Sequence, residues 1–294
     1  MTSHRRNGRP DRAPVFSIVL PTYNRPELLR RAISSVCRQT FRDFELIVVD
    51  DGSTMSCDLP EPRDRRIQLI RNSSNLGVAG ARNVGIEAAR GTYISFLDDD
   101  DEYRGSFLSS TYACLKNTPA SIGVSWCSAQ YIRYAQGPAA TQHTEVREFA
   151  TKYDDRCSLF DAFMSIGMGF GVTFKASCLK KVGRFNSKLR VESDIDFFFR
   201  VLLQGFIPVV VPGIQVVLHD HPMDRLTCPA MVTERIRAWE GFLVQYSQFM
   251  DKYPPLRINF LRYLASLMQK RESNDTAKEV LPFVAARTWA QVIG

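Results

Sequence analysis

The sequence predicts an α/β fold, a mostly parallel central sheet with helices on both faces, followed by a C-terminal helical segment. Three observations carry that expectation. Short apolar runs alternate with runs of helical period over the first hundred residues. Polar clusters close three of the apolar runs. From about residue 230 onward only helical spacing is left. With 294 residues, 45% of them hydrophobic, the chain can bury a large core, as one extended domain or one domain with an appendage.

Residues 15–20 read as a buried first strand, which Pro21 stops so that the chain can turn through Thr22, Tyr23 and Asn24. Pro26 suits a first helical turn, and Leu28, Leu29, Ala32, Ile33 and Val36 follow at helical spacing. Residues 44–49 form a second strand ending in Asp50-Asp51-Gly52-Ser53, and 67–70 a short third one. Residues 77–90 read as a helix of small apolar turns that Gly91 ends. The fourth strand, 93–97, runs straight into four consecutive aspartates, Asp98 to Asp101. Beyond it, 107–115 reads as helix, 122–134 as extended, 137–142 as a loop and 170–174 as a strand. A helix at 193–203 follows, then strands within 209–218 broken at Pro212-Gly213, and helices at 230–250 and 256–271. This order implies right-handed crossovers, and in such sheets ligands bind beyond the carboxyl ends of the strands. The clusters 22–24, 50–53 and 98–101 all stand at such ends.

Charge and composition exclude several classes. The net charge is +7, and Arg5, Arg6, Arg9 and Arg12 outweigh Asp11 in a leader, 1–14, that reads as disordered. Such a tail can serve nucleic acid or an anionic membrane. Nothing aromatic is interleaved here, so a solubilising tail is expected and no nucleic acid partner. No apolar stretch is long enough to span a bilayer, since 207–218 is broken by Pro208, Pro212 and Gly213. The start of the chain lacks the apolar core of a secretory signal, which makes the cytoplasm the expected location. The seven cysteines contain no Cys-x-x-Cys pair, so neither a disulfide framework nor a zinc ribbon is expected.

Four neighbouring carboxylates repel one another, so positive charge is expected among Asp98 to Asp101. Hard oxygen ligands suit Mg²⁺ or Mn²⁺, which keep waters and bind substrate phosphates as well. The other reading is a solvated acidic turn.

Five segments stand out: Ser17-Ile18-Val19-Leu20-Pro21-Thr22-Tyr23-Asn24-Arg25, Val48-Val49-Asp50-Asp51-Gly52-Ser53, Asn75-Leu76-Gly77, Ala81-Arg82-Asn83-Val84-Gly85-Ile86 and Phe96-Leu97-Asp98-Asp99-Asp100-Asp101. Together they resemble the motifs of the family 2 glycosyltransferases. The resemblance is highly specific over 15–104, looser from Val182-Gly183-Arg184-Phe185 through Gly205, and absent after about residue 228. It implies the GT-A fold with its Rossmann-like sheet, inversion at the anomeric carbon, a nucleotide-sugar donor, a divalent metal and a hydroxyl acceptor. The chain then divides into the leader 1–14, a nucleotide-sugar half 15–104, an acceptor half of the same domain 105–228, and a helical extension 229–294.

Residue by residue, the resemblance implies that Asp51 accepts the N3–H of a uracil-like base with Asp50 beside it. Pro21, Thr22, Tyr23 and Asn24 line the base and ribose pocket, and Arg82 offsets the donor phosphates. A turn cap at Asp51 and a surface arginine are the structural alternatives. Asp98-Asp99-Asp100 matches the family's Asp-x-Asp motif. There Asp98 stands at the ribose or at the metal through water, Asp99 lies in the donor site, and Asp100 is the direct ligand. The family's base comes from a pattern like Glu-Asp-x-Asp-x-x-x-Arg. Here Glu192-Ser193-Asp194-Ile195-Asp196 leads to Arg200, so Asp194 matches the base, Ser193 replaces the Glu, and Glu192 is an adjacent substitute. Helix capping is the alternative, and a helix N-terminus would lower a carboxylate's pKa. His219-Asp220-His221 follows a strand and offers His221, or His219, to the metal shell or diphosphate, with two surface histidines as the alternative.

The expected activity is metal-dependent transfer of a single sugar, from a UDP-sugar to an acceptor hydroxyl with inversion. The alternative is a catalytically inactive nucleotide-sugar-binding protein or partner subunit, encouraged by the missing Glu at position 193. A nucleotidyltransferase or a dinucleotide-dependent oxidoreductase would place a glycine-rich loop after the first strand, where this chain has Pro21-Thr22-Tyr23-Asn24-Arg25. No Gln-x-x-Arg-Trp motif of processive polysaccharide synthases occurs. The acceptor is open: a saccharide of polysaccharide biosynthesis, a lipid-linked intermediate, a small metabolite or a protein side chain. Loop 137–147 and residues 167–171 border its expected site. In 256–271, Leu256, Phe260, Leu264 and Leu267 could face a core, and Arg257, Arg262, Lys270 and Arg271 water or the anionic surface of a membrane.

Overall fold

The computed structural model describes residues 12–55, 59, 64–134, 142–147, 159, 162, 166–220 and 229–274. The chain divides into two units, Met1–Tyr153 with Ala162–Met223, and Asp154–Asp161 with Asp224–Gly294.

In the first unit, β1 (Phe16–Thr22), β2 (Phe44–Asp50), β3 (Ile67–Arg71) and β4 (Tyr93–Phe96) pair in parallel in the order β3-β2-β1-β4. Every residue of β1 and β2 is buried, as in parallel strands covered on both faces. Helix α1 (Pro26–Cys37) buries Leu29, Ala32, Ile33 and Val36, the stripe its helical spacing predicts. Helix α2 (Gly77–Ala88) packs close on β1. A Cβ at position 85 would stand 2.2 Å from Val19 Cγ1, so only glycine allows that approach.

Pro21 does not stop β1 as expected. It lies inside the strand, opposite Val49. Val19 and Pro21 turn the same backbone edge toward β4, because alternate residues of a strand bond to opposite neighbours. β4 pairs only with Phe16 to Val19, so the missing N–H of Pro21 falls where the neighbouring strand has already left.

The sheet continues through β8 (Thr173–Lys175), antiparallel to β4, and then β6 (Ile122–Tyr134), antiparallel to β8. β9 (Ile207–Asp220) runs parallel to β6, β5 (Glu102–Tyr103) pairs antiparallel with β9, and β7 (Gln142–Arg147) pairs antiparallel with β6. Among the described residues the sheet has nine strands, parallel through β1–β4 and mixed beyond. β8 begins three residues after the expected strand start, because 167–170 forms a turn closed by Phe170 N–H to the Gly167 carbonyl at 3.2 Å and Gly171 has a φ of 64°. β9 is one strand, not two pieces. Register shifts between Cys127 and Ala129 absorb Pro212 and Gly213 as a bulge.

Helices α3 (Phe107–Leu115), α4 (Ala176–Val182) and α5 (Ser193–Leu203) also belong to this unit. α3 and α5 coincide with the expected spans. α4 was not foreseen, since seven residues are too short to display a helical period.

The second unit contains a 3₁₀ turn at Pro229–Met231, α6 (Val232–Gln245), α7 (Ser247–Asp251) and α8 (Pro254–Asn274). The single helix expected at 230–250 is interrupted at Tyr246, whose φ is −110°. Leu256, Phe260, Leu264 and Leu267 of α8 are buried with Trp239, whose ring lies 4.3 Å from that of Phe260. Among the described residues no helix is long and apolar enough to cross a membrane.

Candidate active site

The parallel strands set their carboxyl ends side by side. Thr22 lies opposite Asp50 across β1 and β2, and Leu97 N–H bonds the Val19 carbonyl where β4 runs into the aspartates. The three polar clusters therefore meet at one edge of the sheet.

At the end of β2, Asp50 Oδ1 accepts the Ser53 N–H at 2.9 Å, and its Oδ2 lies 3.4 Å from Arg71 Nε. The turn needs Gly52, with φ 79° and no room for a Cβ, which would stand 2.8 Å from the Ser74 carbonyl carbon. The cap considered for Asp51 thus belongs to Asp50. Asp51 instead receives Asn72 Nδ2 at 2.8 Å and the Leu76 N–H at 2.9 Å on its Oδ1, which ties β2 to the start of α2. Asn24, left-handed at φ 54°, accepts the N–H groups of Thr54 and Met55 at 2.9 and 3.2 Å, while its own N–H donates to Ser53 Oγ at 2.9 Å. Its side-chain oxygen thus holds this loop. Thr22, Asn24, Arg25, Leu29, Ser53 and Met55 cluster around this loop, and Tyr23 is exposed.

The aspartate turn is not a solvated face. Asp99 and Asp101 are buried, and the Asp101 N–H closes the turn on the Asp98 carbonyl at 3.2 Å. The positive charge expected among these groups comes from arginines. Arg82 Nη2 donates to Asp98 Oδ1 at 2.8 Å, and Arg25 Nη1 stands 3.2 Å from both Asp99 Oδ1 and Asp100 Oδ2. Arg31 Nη2 donates to the Asp100 carbonyl at 2.6 Å. Thr22, expected at the ribose, gives its hydroxyl to Asp99 Oδ2 at 2.7 Å. Burial pushes the Asp99 pKa up to about 6, against the pull of Thr22 and Arg25. Sequence reasoning assigned no role to Arg25 or Arg31. Arg25 closes a quoted motif, but nothing local says that its partners lie some 75 residues away.

Arg82 is buried, so the surface-arginine reading fails. Next to it, Asn83 brackets Phe185, accepting its N–H at 2.8 Å and donating to its carbonyl at 2.9 Å. That clamp fixes the segment leading to α5, which carries Asp194. Asp194 is half-buried, and its Oδ1 accepts the Ile195 N–H at 3.0 Å. Burial raises its pKa, while the Arg82 charge and backbone N–H groups oppose the rise. The lowering expected from the helix N-terminus is present but smaller than desolvation. Glu192 takes a left-handed conformation at φ 59° just before α5. Asp196 pairs with Arg200 at 2.8 Å, and Arg200 also bonds the Val182 carbonyl, so this pair fastens α5 to α4.

His219 is buried rather than superficial. Its Nδ1 lies 2.7 Å from the Tyr134 hydroxyl and its Nε2 3.0 Å from Glu102 Oε1, which leaves neither nitrogen for a metal. Its backbone N–H donates to Asp101 Oδ1 at 3.0 Å. His221 and residues 137–141 of the expected acceptor loop lie outside the described residues.

Among the described residues no group of three or more His, Cys, Asp or Glu could by itself hold an ion. Asp98 and Asp100 offer two carboxylates from one turn, with side chains 33% and 14% exposed. Mg²⁺ and Mn²⁺ are usually bound by one or two carboxylates together with substrate phosphates and waters. These residues fit an ion whose shell a diphosphate completes.

An α/β sheet with an acidic turn and a desolvated carboxylate beyond its strand ends is the arrangement of a nucleotide-sugar-dependent glycosyltransferase. The chain matches the family described as Glycosyl transferase family 2 over residues 17–178 and belongs to it. It is 29% identical over 279 residues, 93% of this chain and 94% of the other, to the "Putative colanic acid biosynthesis glycosyl transferase WcaA" of Escherichia coli (strain K12). The mannosyltransferase PcManGT from Pyrobaculum calidifontis, in complex with GDP-Man and Mn²⁺, matches 96% of this chain and 84% of its own, with a TM-score of 0.56 at 16% identity. S. aureus TarS 1–349 in complex with UDP-GlcNAc matches 78% of this chain and 66% of its own, with a TM-score of 0.55 at 18% identity. The fold is GT-A.

Proposed function

We propose that this glycosyltransferase moves a single sugar from a UDP-sugar to an acceptor hydroxyl with inversion, using Mn²⁺ or Mg²⁺ at the aspartate turn. The observation that carries the reading is the buried Arg82, which bonds Asp98 at 2.8 Å and whose charge acts on Asp194. One guanidinium thus joins the donor side of the site to a carboxylate suited to accept a proton.

In this reading Asp98 and Asp100 hold the ion, and His221 rather than His219 is the histidine proposed for its shell. When bound, the ion stabilises charge that builds on the departing diphosphate. Asp194 takes the acceptor's proton as its oxygen attacks the anomeric carbon opposite the leaving group, and its raised pKa strengthens it as a base. Glu192 is the second candidate base. Asp51, with Oδ1 committed to Asn72 and Leu76, has Oδ2 for the N3–H of uracil. Pro21, Thr22, Tyr23, Asn24, Asp50, Asp99 and Arg82 form the donor site, with Thr22 and Asn24 at its lining. The relative named for colanic acid biosynthesis supports a saccharide acceptor in polysaccharide assembly, reached from the cytoplasm or the cytoplasmic face of a membrane.

The test is thermal shift with UDP and GDP, each with Mn²⁺ or EDTA, followed by donor hydrolysis by wild type and Asp100→Ala. UDP with Mn²⁺ should protect most, and hydrolysis should vanish in the variant. A larger shift with GDP overturns the uridine assignment, and protection indifferent to EDTA overturns the metal.

A further inference from the structure

The aspartate turn already carries a cation of its own. Arg25 Nη1 lies 3.2 Å from Asp99 Oδ1 and 3.2 Å from Asp100 Oδ2, so one guanidinium spans two neighbouring carboxylates. Arg31 holds the backbone of the same Asp100 through its carbonyl at 2.6 Å. Asp100 is also the carboxylate on which the proposed ion depends most directly. An ion held by Asp100 would share that carboxylate with the guanidinium, and like charges brought so close repel even when partly solvated.

We propose that Arg25 is a place-holder for the divalent ion: it compensates Asp99 and Asp100 in the donor-free protein, weakens ion binding there, and so couples ion binding to arrival of the nucleotide diphosphate. This rests on the reading above in one respect, that Asp100 takes the ion. Two further observations support it. Arg25 stands beside Thr22, Asn24 and Ser53 at the end of β1, and its side chain is 23% exposed, so a ligand arriving at that edge of the sheet can reach it. A diphosphate offers a guanidinium fork bidentate oxygens in place of Nη1 contacts to two aspartates. Drawing Arg25 toward phosphate removes its charge from Asp100, and the linkage is reciprocal: donor raises ion affinity as much as ion raises donor affinity.

The experiment is Mn²⁺ binding, followed by the paramagnetic resonance signal of the free ion, for wild type, Arg25→Gln and Arg25→Lys. Each is measured without nucleotide and with saturating UDP or, in parallel, GDP. Without nucleotide, Arg25→Gln should bind Mn²⁺ at least about tenfold tighter than wild type, the effect of removing one nearby positive charge. Arg25→Lys should behave like wild type. Nucleotide should raise the Mn²⁺ affinity of wild type far more than that of Arg25→Gln. Equal or weaker binding by Arg25→Gln without nucleotide overturns the place-holder role. So does wild-type protein that binds Mn²⁺ equally with and without nucleotide, a measurement that stands even if the variant fails to fold. If wild type binds no Mn²⁺ under any condition, the metal reading falls as well. If wild type binds it only with nucleotide but the Gln variant gains nothing alone, only the place-holder role falls.

Discussion

Arg82 Nη2 reaches Asp98 Oδ1 across 2.8 Å from the middle of a helix built of small residues, Ala79, Gly80, Ala81 and Gly85. Those small side chains let α2 lie close on β1 and bury the guanidinium. Among the described residues its buried Nε has no hydrogen-bond partner, a donor that water or a ligand would have to satisfy. The same positive charge pulls down the pKa of Asp194 against burial.

Arg82→Met should therefore do two things. Truncating one partner of a largely buried, hydrogen-bonded charge pair typically costs about 2–5 kcal/mol; discounted to about 1–2 kcal/mol because Asp98 is one-third exposed, it corresponds to a fall of roughly 5- to 30-fold in kcat/KM. Asp194 should also lose its lowering cation. Because a base works in its ionised form, the acid limb of the pH–rate profile should move to higher pH. Arg82→Lys should restore the limb but not the full rate, since an ammonium lacks the fork. An acid limb that stays in place in Arg82→Met would separate Arg82 from the base.

Asp194→Asn gives opposite signs for stability and activity. Burial raises the folded-state pKa of Asp194 above its unfolded value, so the folded protein binds the extra proton. The stability linked to that proton is fully present below the unfolded pKa and is lost as pH rises through the folded one. At neutral pH the wild-type carboxylate is thus a burden, and the amide variant should melt a few degrees higher. The gain should disappear near pH 4. Turnover should drop by about 10²–10⁴ with donor affinity nearly intact. If Glu192→Gln produces that loss instead, the base has been misplaced.

The sequence made the scaffold legible because its signals are local. Strands β1 to β4 are short apolar runs closed by polar clusters, and Asp98 to Asp101 stand at the end of one of them. Pairings were not legible. Thr22 meets Asp99 across 77 positions and Tyr134 meets His219 across 85, and no residue spacing encodes such distances. Reasoning from local rules also misjudged magnitudes. Pro21 as a strand terminator ignored which edge of β1 faced a neighbour. Asp194 as a carboxylate acidified by its helix ignored burial, the larger effect.

His219 shows what the paired-histidine pattern hid, and its chemistry can be checked. A carboxylate only accepts, so Nε2–H donates to Glu102; in the neutral ring, the form a lowered pKa favours, Nδ1 accepts from the Tyr134 hydroxyl. Burial lowers the His219 pKa, with the Arg31 charge acting in the same sense and Glu102 opposing. The unfolded chain takes up its proton near pH 6.5 while the folded protein resists. Stability from this ring is therefore present above that pH and is lost as pH falls toward the folded pKa. Tyr134→Phe should cost about 1 kcal/mol by removing one bond. His219→Ala should cost about 2–3 kcal/mol, because Glu102 and Tyr134 both lose a partner. Asp99, raised to about 6, gives wild type an opposing pH dependence, so the informative quantity is the difference between wild type and His219→Gln in urea unfolding at pH 7.5 and 5.5. That difference should shrink at the lower pH, because acid removes only the wild-type advantage. A difference that is constant across the range would show that the ring does not titrate with folding. Glu102 also pairs with Arg31 at 3.6 Å, and Arg31 holds the Asp100 carbonyl. His219→Ala should accordingly weaken Mn²⁺ binding in the presence of nucleotide, whereas a histidine that only fills space would leave it unchanged.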